Sequence, residues 1–163
     1  MRFKKLLLLA FVALTFVSLI STGCKKSNDT NNSATFSATI AGTVYTPSTT
    51  SAWYSKDSSI YEIAGATFKT GDTSGLYVAI APPFTLNTVI TDQNSVEIDY
   101  YKSSKAYLAG YGFGHTSLTV TSLDSTNHKI AGNFTAVVYN LLDQTDSLAI
   151  TGGKFNTSYS VQP

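Results

Sequence analysis

From residue 34 onward, apolar and polar side chains alternate with a period of two, the signature of strands half buried against a core. The clearest run is 128–139. Ile130, Gly132, Phe134, Ala136 and Val138 share one face, and Lys129, Asn133 and Thr135 share the other. Leu118, Thr119, Val120 and Thr121 alternate in the same way, and the turn formers between Leu123 and Asn127 predict a hairpin with the longer run. Phe36, Ala38 and Ile40 alternate before Ala41-Gly42, a pair suited to a tight reversal into Val44 and Tyr45. Further strands are predicted over 52–56, 59–69, 76–81, 96–102, 105–111 and 148–159. In the last of these, Gly152-Gly153 shifts the apolar phase from Leu148 and Ile150 to Phe155 and Tyr159, which predicts a bulge. The segment 82–95 is the least regular, because Pro82-Pro83 offers no backbone donor to a sheet.

No helical stripe of useful length follows residue 33. About nine strands joined by short turns predict an all-β domain over residues 34–163, either an antiparallel β-sandwich or a flattened meander β-barrel. Periodicity alone does not choose between them.

The first 33 residues follow a different pattern. Arg2, Lys4 and Lys5 precede an apolar run of 15 residues from Leu6 to Ile20, and Ser21-Thr22-Gly23 leads to Cys24, the one cysteine of the chain. The run suits a translocon yet falls short of the roughly 20 residues that span a bilayer. Residues 1–23 therefore read as a lipoprotein signal peptide and Cys24 as its lipidation site. Ser21 stands where such signals place a large aliphatic residue. A cleaved signal followed by an incidental thiol is the alternative, and an unpaired thiol in an exported protein is a liability that argues against it. Residues 24–33 carry the cysteine and a polar stretch that reads as a flexible tether.

Composition narrows the function classes. From Cys24 onward the chain has eight lysines, no arginine and ten carboxylates, a formal charge of −2. Nothing in that balance supplies the clustered cations that bind nucleic acid. With Cys24 acylated no disulfide or thiolate metal site remains. His115 and His128 lack the local spacing of a zinc site, so neither a metal nor a cofactor is expected. The chain is long enough to bury a self-sufficient core, and a monomer is expected.

Four segments carry a likeness: Phe36 through Tyr45, Ser117 through Asp124, Lys129 through Ala136, and Ile150 through Asn156. Together with the lipidated cysteine they resemble a family of uncharacterised lipoproteins of Bacteroidota. The resemblance implies an all-β fold and an outer-membrane address. That family has no assigned activity, so no catalytic residue is implied, and whether the domain faces periplasm or exterior stays open.

Candidate chemistry is sparse. Glycine-rich 110–114 lacks the helix and lysine of a phosphate cradle. Gly71 through Gly75 resembles a nucleophile elbow only in composition. The acidic turns at Asp124 and Asp143 read as side-chain-capped turns rather than calcium loops. Glu97 and Asp99 fall on one face of a predicted strand. Paired carboxylates serve glycoside hydrolysis, but this pair reads as the solvent side of an amphipathic strand. The aromatic content is the more informative feature. Ten tyrosines accompany Trp53, many between residues 53 and 113, and in Trp53-Tyr54 and Tyr100-Tyr101 one member of each pair must face away from the core. Trp53, Tyr101 and Tyr111 are the candidate ligand-binding aromatics.

These features favour a lipid-anchored, non-catalytic envelope module that binds a glycan or a protein partner. A purely structural envelope protein and, further behind, a glycan hydrolase are the alternatives.

Overall fold

The computed structural model describes residues 34–163. The signal peptide, Cys24 and the tether lie outside the described residues. Twelve strands account for nearly all regular structure, and no helix forms among the described residues. They are β1 (Thr35–Ile40), β2 (Thr43–Tyr45), β3 (Thr49–Ser55), β4 (Ile60–Lys69), β5 (Asp72–Ile80), β6 (Val89–Ile90), β7 (Val96–Lys102), β8 (Lys105–Ala109), β9 (His115–Asp124), β10 (Lys129–Asn140), β11 (Ser147–Ser158) and β12 (Ser160–Gln162).

All twelve belong to one sheet, ordered β12-β3-β4-β5-β7-β8-β10-β11-β1-β2, with β9 beside β10 and β6 beside β9. Every pairing is antiparallel except β12 with β3. The sheet does not close on itself, so the domain is sandwich-like and the barrel alternative falls away. The expected count of about nine strands rises to twelve. The additions are short: β2 splits off after the Ala41-Gly42 turn, β6 has two residues, and β12 is a three-residue continuation of the chain beyond β11.

One face of the sheet builds a single core. Ile63, Leu76, Val78, Ile80 and Ile98 on one side meet Leu118, Val120, Ile130, Val138 and Ile150 on the other, all fully or nearly fully buried. The centre is an interlock between β10 and β11. Gly132 pairs with Phe155 and Phe134 with Gly153, so each ring lies over the glycine of the opposite strand. A Cβ at Gly132 would fall 2.4 Å from the Phe155 ring and 2.6 Å from the Thr119 carbonyl oxygen, and one at Gly153 would fall 2.5 Å from the Phe134 ring. Glycine at both positions is thus a packing requirement. Phe36 extends the stack to Phe134 with centroids 6.0 Å apart.

The expected bulge is present. Opposite Phe134 and Ala136 the register of β11 steps from Gly153 to Ile150, and Gly152 takes a left-handed φ of 57° that a residue with a Cβ would adopt at a cost. The 115–140 hairpin also forms, and Asp124 closes it by accepting hydrogen bonds from the backbone N–H of Thr126 (3.0 Å) and Asn127 (2.9 Å). Asp143 caps its own turn in the same manner. The strand predicted over 76–81 begins earlier, since β4 and β5 meet at the two-residue turn Thr70-Gly71 and strand pairing begins at Asp72.

Candidate functional site

The second face of β3, β4, β5 and β7 carries the chemistry. Register places Trp53 opposite Glu62, Glu62 opposite Ala79, and Ala79 opposite Glu97. These four residues form one row across the sheet, about 14 Å over three strand spacings. Ala79 gives the row a low centre between two carboxylates. Beyond Glu97, the chain turns after β8 through Gly110-Tyr111-Gly112. Gly110 packs so closely on β7 that a Cβ there would lie 2.9 Å from the Val96 carbonyl oxygen and 3.1 Å from Glu97 Cα. The next residue, Tyr111, therefore stands beside Glu97 and closes the far end of the row.

Tyr111 holds a left-handed φ of 50°, rare for a residue with a bulky side chain. Its N–H donates to the Gln93 carbonyl (2.7 Å), and Gln93 Nε2 donates to the Gly114 carbonyl (2.6 Å), which fixes the loop. The residue is 46% exposed. Partial burial raises the pKa of its hydroxyl, and the charges of Glu97, Asp99 and Glu62 raise it further. From Gly112 a cleft of about 510 Å³ continues past Phe113, His115 and Tyr139, with Gln93 and Gln144 supplying amides.

The next row down is buried. Tyr77 lies opposite Asp99, and Asp99 opposite Leu108. Between these two large neighbours Asp99 is only 1% exposed, which corrects the reading of Glu97 and Asp99 as a plain solvent face. Periodicity assigns a face, whereas burial on that face depends on which side chains stand across the strands. Asp99 Oδ2 accepts from the Tyr101 hydroxyl (3.0 Å), while Oδ1 has no conventional donor. Burial pushes the Asp99 carboxyl well above the ordinary carboxylate range, and the adjacent Glu97 charge pushes it further. The Glu97 carboxyl lies within hydrogen-bonding range of Asp99, and two carboxyl groups can bond only when one holds a proton. A proton held by Asp99 would let it donate to Glu97 and give the orphan oxygen a partner. Glu62, whose carboxyl is also raised by burial, accepts from the Tyr77 hydroxyl.

Trp53 and Tyr111 thus flank the acidic row. Tyr101 lies on the same face two positions along β7 from Asp99, with its hydroxyl committed to that carboxyl. The other aromatics of the region divide by strand phase. Tyr54, Tyr61, Tyr100 and Tyr107 belong to the core or pack on it, so each adjacent aromatic pair has one member on either side of the sheet. The sequence reading missed Glu62 and Tyr77. The Thr70-Gly71 turn was the available signal, because a two-residue hairpin fixes Glu62 opposite Ala79.

The row offers half-buried carboxylates as acceptors between two aromatic side chains. The Glu97 and Asp99 carboxyls lie within hydrogen-bonding range of each other, closer than the roughly 5–9.5 Å that separates the two carboxyls of glycoside hydrolases. His128 stacks on Tyr159 with centroids 5.3 Å apart, away from this face, and among the described residues no three metal-ligating side chains converge. Comparison with known protein families, curated proteins and solved structures finds no match.

Proposed function

We propose that the chain is a lipid-anchored cell-envelope protein whose acidic-aromatic sheet face binds a glycan without cleaving it. The row Trp53, Glu62, Ala79, Glu97, Tyr111 carries this reading. Sugar rings present C–H faces to aromatic side chains and hydroxyl donors to carboxylates, and the row supplies both, aromatics at its ends and carboxylates between them. The large exposed apolar residues Val44, Val89 and Leu142 lie on other elements, and the row itself centres on two carboxylates, so it suits a polyhydroxyl ligand better than the apolar centre of a protein interface.

Soluble envelope polysaccharides titrated into the full chain should change the fluorescence of Trp53, the one tryptophan. Tyr111→Ala should weaken the response about tenfold, the worth of roughly 1.4 kcal/mol, with little change in melting temperature. An undiminished response in that variant, or none across a broad glycan panel, defeats the reading. A protein partner would then be the occupant to seek.

The envelope address rests on the basic, apolar and small-residue run ending at Cys24. Acyl chains contribute about 0.8 kcal/mol per buried CH₂, so two or more hold a protein firmly in a membrane. Cys24→Ser should abolish fatty-acid labelling and release the protein from washed membranes. Equal retention of that variant contradicts the anchor.

A further inference from the structure

The core has an opening away from the acidic row, where the β1-β2 and β7-β8 turns meet. It encloses about 390 Å³, the scale of a small-molecule site. Ile40, Tyr45, Tyr100, Tyr107 and Leu148 wall it with apolar and aromatic surface. Tyr45 and Tyr100 meet edge to face with centroids 6.0 Å apart, and the Tyr45 hydroxyl donates to the Gly65 carbonyl (3.0 Å), so these walls are fixed.

The rim is cationic in a way that stability does not explain. Lys102 and Lys105 sit directly opposite each other across the Ser103-Ser104 turn, in phase with the core-facing residues of β7 and β8. Like charges in direct cross-strand pairs are unfavourable. Asp146 neutralises only Lys105: its Oδ2 accepts from Lys105 Nζ (2.8 Å), the Tyr107 hydroxyl (3.0 Å) and Asn140 Nδ2 (3.0 Å). Among the described residues no carboxylate pairs with Lys102. Opposite Lys102, Ser74 lines the opening and brings a hydroxyl to its wall.

We propose that this opening binds a small amphiphilic carboxylate, with the anionic head between Lys102 and the Ser74 hydroxyl and the apolar body against Tyr45, Tyr100 and Leu148. Apolar walls and a cation at the rim select for both parts of such a molecule together. The site is separate from the glycan face and does not depend on it.

Calorimetric titration of the full chain with sodium octanoate, octan-1-ol and sodium acetate tests the proposal. Octanoate should bind saturably, and the alcohol and acetate should each bind about tenfold more weakly or worse, in line with the worth of a charge-assisted hydrogen bond or of the lost apolar contact. Lys102→Met, at an exposed position, should weaken octanoate about tenfold, an effect of the same origin, without lowering the melting temperature. Ser74→Ala, which keeps the fold and removes the hydroxyl, should weaken it less. Absence of saturable octanoate binding at about millimolar concentrations, or equal affinity in wild type and Lys102→Met, overturns the proposal.

Discussion

Phe134→Ala should lower the free energy of unfolding by about 3–5 kcal/mol, among the largest effects of any single truncation in the domain. Phe134 is 2% exposed and contacts Phe36 and Phe155 at centroid distances of 6.0 and 6.4 Å. Its ring also fills the space above Gly153, where no side chain exists to relax inward. Removing it leaves a cavity bounded by a bare backbone and by rings already fixed over their own glycines. Neighbours therefore cannot collapse into the space, and the penalty should sit toward the upper part of the range. Urea denaturation of wild type and variant measures it. A loss within about 0.5 kcal/mol, the scale of a surface substitution, would contradict the interlock.

The second large effect is on pH dependence, and its sign follows from which state holds the proton. Asp99 is raised in the folded protein by burial and then by Glu97, while in the unfolded chain it titrates near about 3.9. Above that pH the unfolded state releases a proton that the folded state keeps. Stability should therefore fall as pH rises, by up to about 1.4 kcal/mol per pH unit, until the folded-state value is passed. Glu97 and Glu62, both raised mainly by burial, act in the same direction. The turn aspartates act oppositely. Hydrogen bonds from Asn94, Asn127, Thr145 and Lys105 lower Asp92, Asp124, Asp143 and Asp146 respectively, the last to about 2, so their contribution is lost as acid protonates them. Stability should peak at about pH 4–5, between the two windows.

Asp99→Asn keeps the shape, accepts from Tyr101 through its carbonyl and donates permanently to Glu97. The variant should match wild type near pH 4 and become progressively more stable than wild type toward pH 7. Calorimetric melting across pH 3–9 measures both curves. A wild-type stability that climbs from pH 4 to 7, or an Asp99→Asn variant less stable than wild type at neutral pH, would contradict the shared-proton pair.

Strand phase was legible in the sequence wherever one face is buried. Residues 96–102 and 129–140 alternate cleanly because their core face is almost wholly apolar, and the bulge at Gly152-Gly153 is announced by the phase change around it. The edge pairing of β12 with β3 was not legible, since it joins chain segments more than 100 residues apart through backbone bonds alone. The candidate site was legible in its members more than in its arrangement. Glu97 and Asp99 could be placed on one face and Trp53 and Tyr111 named as candidate aromatics, yet their alignment depends on the β5-β7 register, set across the irregular 81–95 connection rather than by a tight turn. Burial of Asp99 depends in turn on Tyr77 and Leu108, brought alongside by the pairing of β7 with β5 and β8.

The most direct test of the glycan-binding face is to map where an oligosaccharide touches the protein. Backbone amide resonances of the full chain, recorded with and without a saturating ligand from the fluorescence panel, should shift at Trp53, Glu62, Ala79, Glu97 and Tyr111 and along the cleft at Gln93 and His115. Lys102, Lys105 and Ser74 at the core opening should stay in place. Shifts centred on the opening or scattered over the surface, with the acidic row unmoved, would contradict the account.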